Sequence, residues 1–180
     1  MTFTLVPERP DDAALNAPLL DRTFGFDRTR RTVYRLREGI EPLAELSFSA
    51  VADDGGLLGS IRYWPIEIAA TPAILLGPLA VEPALQGQGI GKALVGYSLD
   101  AARRQGHEIC VVVGDPNYYR PFGFVSAAAQ GLSLPGPVEP ERFQVLALAD
   151  GALEEVYGVI ARSRTPAAPR SRRRLRRSVA

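Results

Sequence analysis

One stretch limits what this chain can become: Gln86-Gly87-Gln88-Gly89-Ile90-Gly91-Lys92. An apolar, strand-like run, Ile74 to Val81, leads into it, and an amphipathic, helix-like run, Ala93 to Gln105, leads out. Strand, glycine-rich turn and helix gather free backbone N–H groups and the positive end of a helix in one place. Such a place holds an anion, most often phosphate or pyrophosphate. The chain therefore reads as one that binds a phosphorylated cofactor, and the details of the loop select which one.

Two common loops fail the test. A phosphate-binding loop of the nucleotide hydrolases needs Gly five positions before its Gly-Lys pair and Ser or Thr after it. Here Gln86 stands five before Gly91, and Ala93 follows Lys92. Without a hydroxyl for magnesium, nucleoside triphosphate hydrolysis is disfavoured. The dinucleotide fingerprint G-x-G-x-x-G begins at Gly87 and Gly89 but meets Lys92 where its third Gly belongs, and no acidic residue ends a second strand to hold a ribose. The pattern that fits is Q-x-x-G-x-G, read as Gln86, Gly89 and Gly91.

That pattern resembles the acetyl-coenzyme A loop of the Gcn5-related N-acetyltransferases (GNAT). Leu75-Leu76-Gly77-Pro78-Leu79-Ala80-Val81-Glu82-Pro83 is similar to the family's fourth strand, and His107 to Gly114 to its fifth. Asp115-Pro116-Asn117-Tyr118-Tyr119-Arg120-Pro121-Phe122-Gly123-Phe124 resembles the short helix that carries the family's tyrosine, closed by a Gly-Phe pair. Its G-D-P-x-Y-Y opening is similar to the YhbS-like bacterial branch. The strong resemblance covers roughly residues 74 to 127; residues 25–68 and 131–151 fit more loosely.

Composition agrees with one such domain. The chain has 180 residues, 46% of them hydrophobic, and no apolar run approaches the ~20 residues of a membrane helix. The N-terminus lacks the basic and apolar regions of a signal peptide, and the one cysteine, Cys110, makes no internal disulfide, so the expected location is cytoplasmic. The net charge of +1 hides an asymmetry. Residues 1–161 carry −7, and the arginine-rich segment 162–180 carries +8. We therefore expect one catalytic domain over 1–161 and a disordered basic tail over 162–180, too poor in large apolar groups to offset its ordering entropy.

Periodicity gives a coarse element order. Thr4 to Val6 reads as a strand, and Asp11 to Phe24 as a helix with Pro10 and Asp11 near its start. Thr23 to Glu38 reads as a second helix plus loop. Leu43 to Val51 and Leu58 to Ile68 read as strands about the turn Asp53-Asp54-Gly55-Gly56. Ile74 to Val81 is a strand covered on both faces. Gly91 to Gln105 is a helix ended by Gly106, and Ile109 to Gly114 a buried strand. Val125 to Ala128 and Phe143 to Ala149 are the last strands. The resemblance adds the fold: α/β, with a mixed, mostly antiparallel sheet flanked by helices and splayed between its fourth and fifth strands.

It also implies the chemistry: direct attack of an amine on the thioester of acetyl-coenzyme A, with no metal. Backbone N–H groups of Gln86, Gly87, Gln88, Gly89, Ile90, Gly91 and Lys92 would take the pyrophosphate. Leu79, Ala80 and Val81 would pair with the pantetheine arm, and Asn117 is placed with the cofactor contacts. An amide aimed at the thioester oxygen would stabilise the charge that develops there. Tyr119, four residues before Gly123, stands at the general-acid position. A free phenol near ~10 and a thiol near ~8.5 make full proton transfer slightly uphill, so Tyr119 acts mostly as a hydrogen-bond donor. Glu67 and Glu45 are the preferred bases, on strands that border the acceptor side in the family. His107 is read as structural.

The acceptor is read as a primary amine of a small molecule or a peptide, bound by Phe24 to Arg37 and Gly131 to Arg142. Arg28, Arg30, Arg31, Arg35 and Arg37 are candidates for an anionic group on it. Two other readings stand beside this one: a non-catalytic acetyl-coenzyme A sensor or interaction module, and a nucleic-acid-associated protein using its basic tail. A homodimer is common in the family, and the sequence does not fix it.

Overall fold

The structure, a computed structural model, describes residues 2–9 and 12–163. Pro10 and Asp11, read as the start of the first helix, lie outside the described residues, as do residues 164–180 of the basic tail. The first half of the chain lays down β1 (Thr4–Pro7), α1 (Asp12–Phe24), a one-turn α2 (Thr32–Arg35), β2 (Phe48–Val51), β3 (Leu57–Ile68) and β4 (Thr71–Val81). The second adds α3 (Ile90–Arg104), β5 (Ile109–Val113), a one-turn α4 (Pro116–Tyr119), β6 (Val125–Ser126), β7 (Leu132–Ser133), β8 (Phe143–Ala147) and β9 (Gly158–Arg162).

The main sheet runs β1-β2-β3-β4-β5-β8-β6. Its pairs are antiparallel except β4 with β5, which is parallel. β9 pairs with the end of β3 at Ile66–Ile68 and also with β7. The expected mixed, mostly antiparallel sheet is therefore present.

Two features of β4 create the site. The first is a bulge. Ile61 faces Leu79 but Tyr63 faces Leu76, so two residues of β4, Gly77 and Pro78, oppose the single Arg62 of β3. The extra residue reverses the in-out alternation. Ile74 and Leu76 pack under α3, but beyond the bulge it is Leu79 and Val81 that do so, while Ala80 turns to Leu19 and Leu20 of α1. The second is the brevity of the parallel pairing. β4 and β5 are in register only at Ile74–Cys110 and Leu75–Val111, then part. From Gly77 onward the edge of β4 that faces β5 has no strand partner among the described residues.

Alternation of side chains divides the core into two layers. Leu94, Val95, Leu99 and Ala102 of α3 cover one face against Ile61, Tyr63, Cys110 and Val112. Ile66, Leu75, Ile109, Val111, Val145 and Ile160 fill the other. α3 ends in a Schellman turn: Gly106 N–H donates to Arg103 O at 3.0 Å and His107 N–H to Ala102 O at 3.0 Å. Gly106 takes φ 82°, the left-handed conformation that closes this motif.

Three expectations are corrected. The second helix shrinks to a 3-10 turn, Phe26–Arg30, and the four residues of α2. The strand from Leu43 begins only at Phe48, because Ala44–Leu46 form a turn. Arg162, placed in the tail on composition, closes β9, and Ile160 beside it is fully buried.

Candidate active site

The parting strands open a cleft of about 1490 Å³. Its floor is β4 through residues 76–79 and Val81, and the end of β5 with Gly114 beyond it. One wall is the glycine loop and first turn of α3, through Gln86, Gly87, Gly89, Ile90, Gly91 and Lys92. The other is built from residues 30–34, Arg37, residues 137–140 and Arg142.

The glycine wall is made for an anion. Gly89, at φ 90°, caps α3 with no side chain to satisfy the first-turn N–H groups. These donors have no helical acceptor and face the cleft mouth. Gln86 holds the loop to the strand by donating from Nε2 to Val81 O at 3.3 Å. Gly91 has a second duty that the sequence did not announce. A Cβ there would lie 2.5 Å from Tyr118 Oη, so the glycine makes room for a tyrosine tip.

Tyr119 is placed by a short chain of local causes. Asp115 caps α4, its Oδ1 accepting from Asn117 N–H at 2.8 Å, and Pro116 pre-sets the first helical residue. Gly123 at φ 94° then turns the chain so that Phe124 enters the core. Phe124 and Tyr118 meet the Tyr119 ring edge-on, at 5.5 and 5.0 Å between centroids. A Cβ at Gly114 would lie 2.3 Å from Tyr119 Cε2, so the ring is seated against bare backbone at the end of β5. Burial raises the phenol pKa, and the neighbouring Tyr118 and Cys110 act in the same direction.

Not every expected residue reaches the cleft. Ala80 backs onto α1. Gln88 and Asn117 are exposed and off its lining, and the Asn117 N–H is taken by Asp115. Both preferred bases are elsewhere. Glu67 faces Pro72 near the β3–β4 turn, five residues from Gly77, or about 17 Å along a strand. The Glu45 carbonyl accepts from Gln105 Nε2 at 3.2 Å, beyond the far end of α3. Fifteen residues of helix put it about 22 Å from the glycine wall. The carboxylates that line the cleft, among the described residues, are Asp115 and Glu139. Glu82 instead pairs with Arg22. Cys110 is fully buried and its thiol pKa is raised by burial, so it offers no thiolate.

The acceptor wall holds residues whose roles the sequence left open. Thr32 Oγ1 donates to Pro137 O at 2.7 Å and ties α2 to the 134–140 loop. Arg37 lies between the rings of Tyr34 and Trp64, with Cζ 4.7 and 4.9 Å from their centroids. Tyr34 and Arg37 stand three residues apart, a readable spacing on a helical turn, but the contribution of Trp64 from β3 is visible only in the fold.

Comparison with known proteins agrees with this architecture. The family described as "Acetyltransferase (GNAT) domain" matches residues 45–126. The uncharacterized N-acetyltransferase YhbS of Escherichia coli K12 is 35% identical over 155 residues, 85% of this chain and 92% of that one. The chain belongs to the GNAT family. A crystal structure of E. coli YhbS in complex with CoA superposes with a TM-score of 0.78 at 33% identity, covering 89% of each chain. A GNAT acetyltransferase from Brucella melitensis, in complex with acetyl-CoA, gives 0.67 at 29% identity over 90% of this chain and 96% of that one. GNAT membership makes this chain an acyltransferase, and the splayed β4–β5 pair is the fold's cleft.

Proposed function

We propose that this chain transfers the acetyl group of acetyl-coenzyme A directly to a primary amine of a small molecule or peptide. The observation that carries the reading is one cleft that joins three parts: the uncapped α3 terminus, the unpaired edge of β4 and the Tyr119 ring. The first-turn N–H groups suit the pyrophosphate, and the free β4 edge suits a pantetheine arm bearing amides. Complexes of the two GNAT relatives with CoA and acetyl-CoA support the same choice of co-substrate.

Within this reading each residue has a stated task. A β4 amide beyond the bulge stabilises the developing oxyanion. Tyr119, kept protonated by burial, donates to the leaving sulfur. The amine attacks without an acetyl-enzyme, consistent with the sealed Cys110. Glu139, exposed on the acceptor wall, is the carboxylate we assign to receiving the ammonium proton, directly or through water.

Thermal unfolding tests the co-substrate. Ligand at a hundred times Kd adds about 2.7 kcal/mol, which for a domain of this size raises Tm by roughly 5–10 °C. The expected result is a rise with acetyl-coenzyme A and none with NADP or ATP. No rise, or a rise with ATP, would refute the assignment.

A further inference from the structure

The acceptor wall contains a cation with no countercharge. Arg37 lines the cleft beside the β4 bulge, where a Cβ on Gly77 would lie 3.4 Å from its Nη2. Its Nε is sealed from solvent and has no hydrogen-bond partner. Among the described residues no carboxylate pairs with it. Two nearby arginines are used differently: Arg28 pairs with Asp21 at 2.7 Å, and Arg31 lies over the Phe24 ring at the surface.

We propose that Arg37 binds a carboxylate of the acceptor, so that the substrate is a small amino acid. The inference rests on the acetyltransfer reading above and adds the substrate class. Burying a guanidinium without an anion is costly, and a protein normally supplies the partner itself. Here the partner is left out while the position is fixed. Tyr34 and Trp64 hold the cation, and Trp64 is itself held by its Nε1–H donating to Ile40 O at 3.1 Å. Contacts with ring faces use the charge of the guanidinium but none of its N–H donors. Nε is sealed and the Tyr34 hydroxyl takes part of the hydrogen-bonding capacity, so the remaining Nη N–H donors are the ones a carboxylate would meet. Burial lowers the Arg37 pKa to about 10, against which the Tyr34 hydroxyl acts, so the group remains a cation at neutral pH. A phenol brings no negative charge, and the missing charge is what a substrate carboxylate would supply.

The position also suits the chemistry. Gly77 and Leu79 are two residues apart in the chain, so at most about 7 Å separates them. A carboxylate at Gly77 and an amine presented toward the thioester near Leu79 are therefore separated by the length of one small amino acid. Polyamines would place a like charge against Arg37 and are selected against.

The test pairs acceptors that differ in this one group. Thiol release is measured for a panel of amino acids, their carboxamides, short peptides and diamines. The expected result is a kcat/KM roughly 10–100-fold higher for the acids than for their amides, the loss expected when a charge-assisted hydrogen bond is removed. Arg37→Met should erase the preference through KM, and Arg37→Lys should restore part of it, while both keep the rise in Tm with acetyl-coenzyme A. Amides or diamines that match the acids on the wild-type protein would overturn the inference, with no variant needed. Preference for peptides over free amino acids would overturn the small-substrate assignment. An Arg37→Met protein that keeps the acid preference would overturn the role of Arg37. Failure of acetyl-coenzyme A to raise Tm would instead sink the acetyltransfer reading on which all of this stands.

Discussion

Tyr119 shows how one side chain is tuned by its seat. Its ring is pressed between Tyr118, Phe124 and the bare backbone of Gly114, and burial raises its pKa. A phenol already near ~10 in water therefore stays protonated across the physiological range. Its hydroxyl remains a donor, and an alkaline fall in rate below pH 10 would belong to another group. We expect Tyr119→Phe to lower kcat by roughly 10²–10⁴-fold with the thermal response to acetyl-coenzyme A intact. Steady-state kinetics with a thiol reagent would measure this, and an unchanged kcat would remove Tyr119 from the mechanism. The position of this residue was legible because its spacing to Gly123 is local. The base was not. Glu67 sits on its expected strand and Glu45 on a turn just before β2, but a sequence does not say which end of a strand or helix meets the cleft. Arg37 was legible only as one of five arginines; the unmet charge that sets it apart depends on which neighbours the fold supplies.

At the scale of elements, the first turn of α3 serves both cofactor and core. Gly89 leaves the helix N–H groups uncovered, while Gly91 admits the hydroxyl of Tyr118. The two functions separate experimentally. Gly91→Ala should lower stability, because a Cβ meets Tyr118 Oη at 2.5 Å. In a Tyr118→Phe background the same change should be neutral or stabilising, since alanine favours a helix over glycine by up to ~1 kcal/mol. Chemical denaturation of the four proteins of this cycle would give the coupling; additive effects would show that Tyr118 does not set the need for Gly91. α3 itself was readable from its apolar face and Gly106. β9 was not, because Gly158 to Arg162 carries no strong strand signal and is recruited by β3, some ninety residues earlier in the chain. The 3-10 turn and the one-turn α2 that replace the second helix escaped for a related reason: the arginine-rich stretch has helical composition, but tertiary contacts through Thr32 and Leu36 shape it.

Across the whole molecule, the sheet is two units joined narrowly. β1 to β4 form one and β5, β6 and β8 the other, and the backbone register between them spans only Ile74–Cys110 and Leu75–Val111. α3 bridges them from one face, packing on residues of both. This arrangement was expected from the resemblance, whereas the bulge that redirects Leu79 and Val81 was not, because nothing in the run Leu75 to Val81 marks where the register slips. The seam also places the single thiol of the chain at a telling point. Cys110 belongs to the seam, is inaccessible, and is disfavoured as a thiolate. An aromatic disulfide reagent should therefore leave the native protein unmodified while it reports every coenzyme A set free, so the standard colour assay carries no protein blank. When Cys110 does react, it should do so at the rate at which the seam opens. Its modification rate would follow unfolding across a denaturant series and slow with acetyl-coenzyme A, whereas prompt labelling in buffer would refute a closed seam. The one thiol in this molecule is in effect a built-in timer for the separation of its two halves.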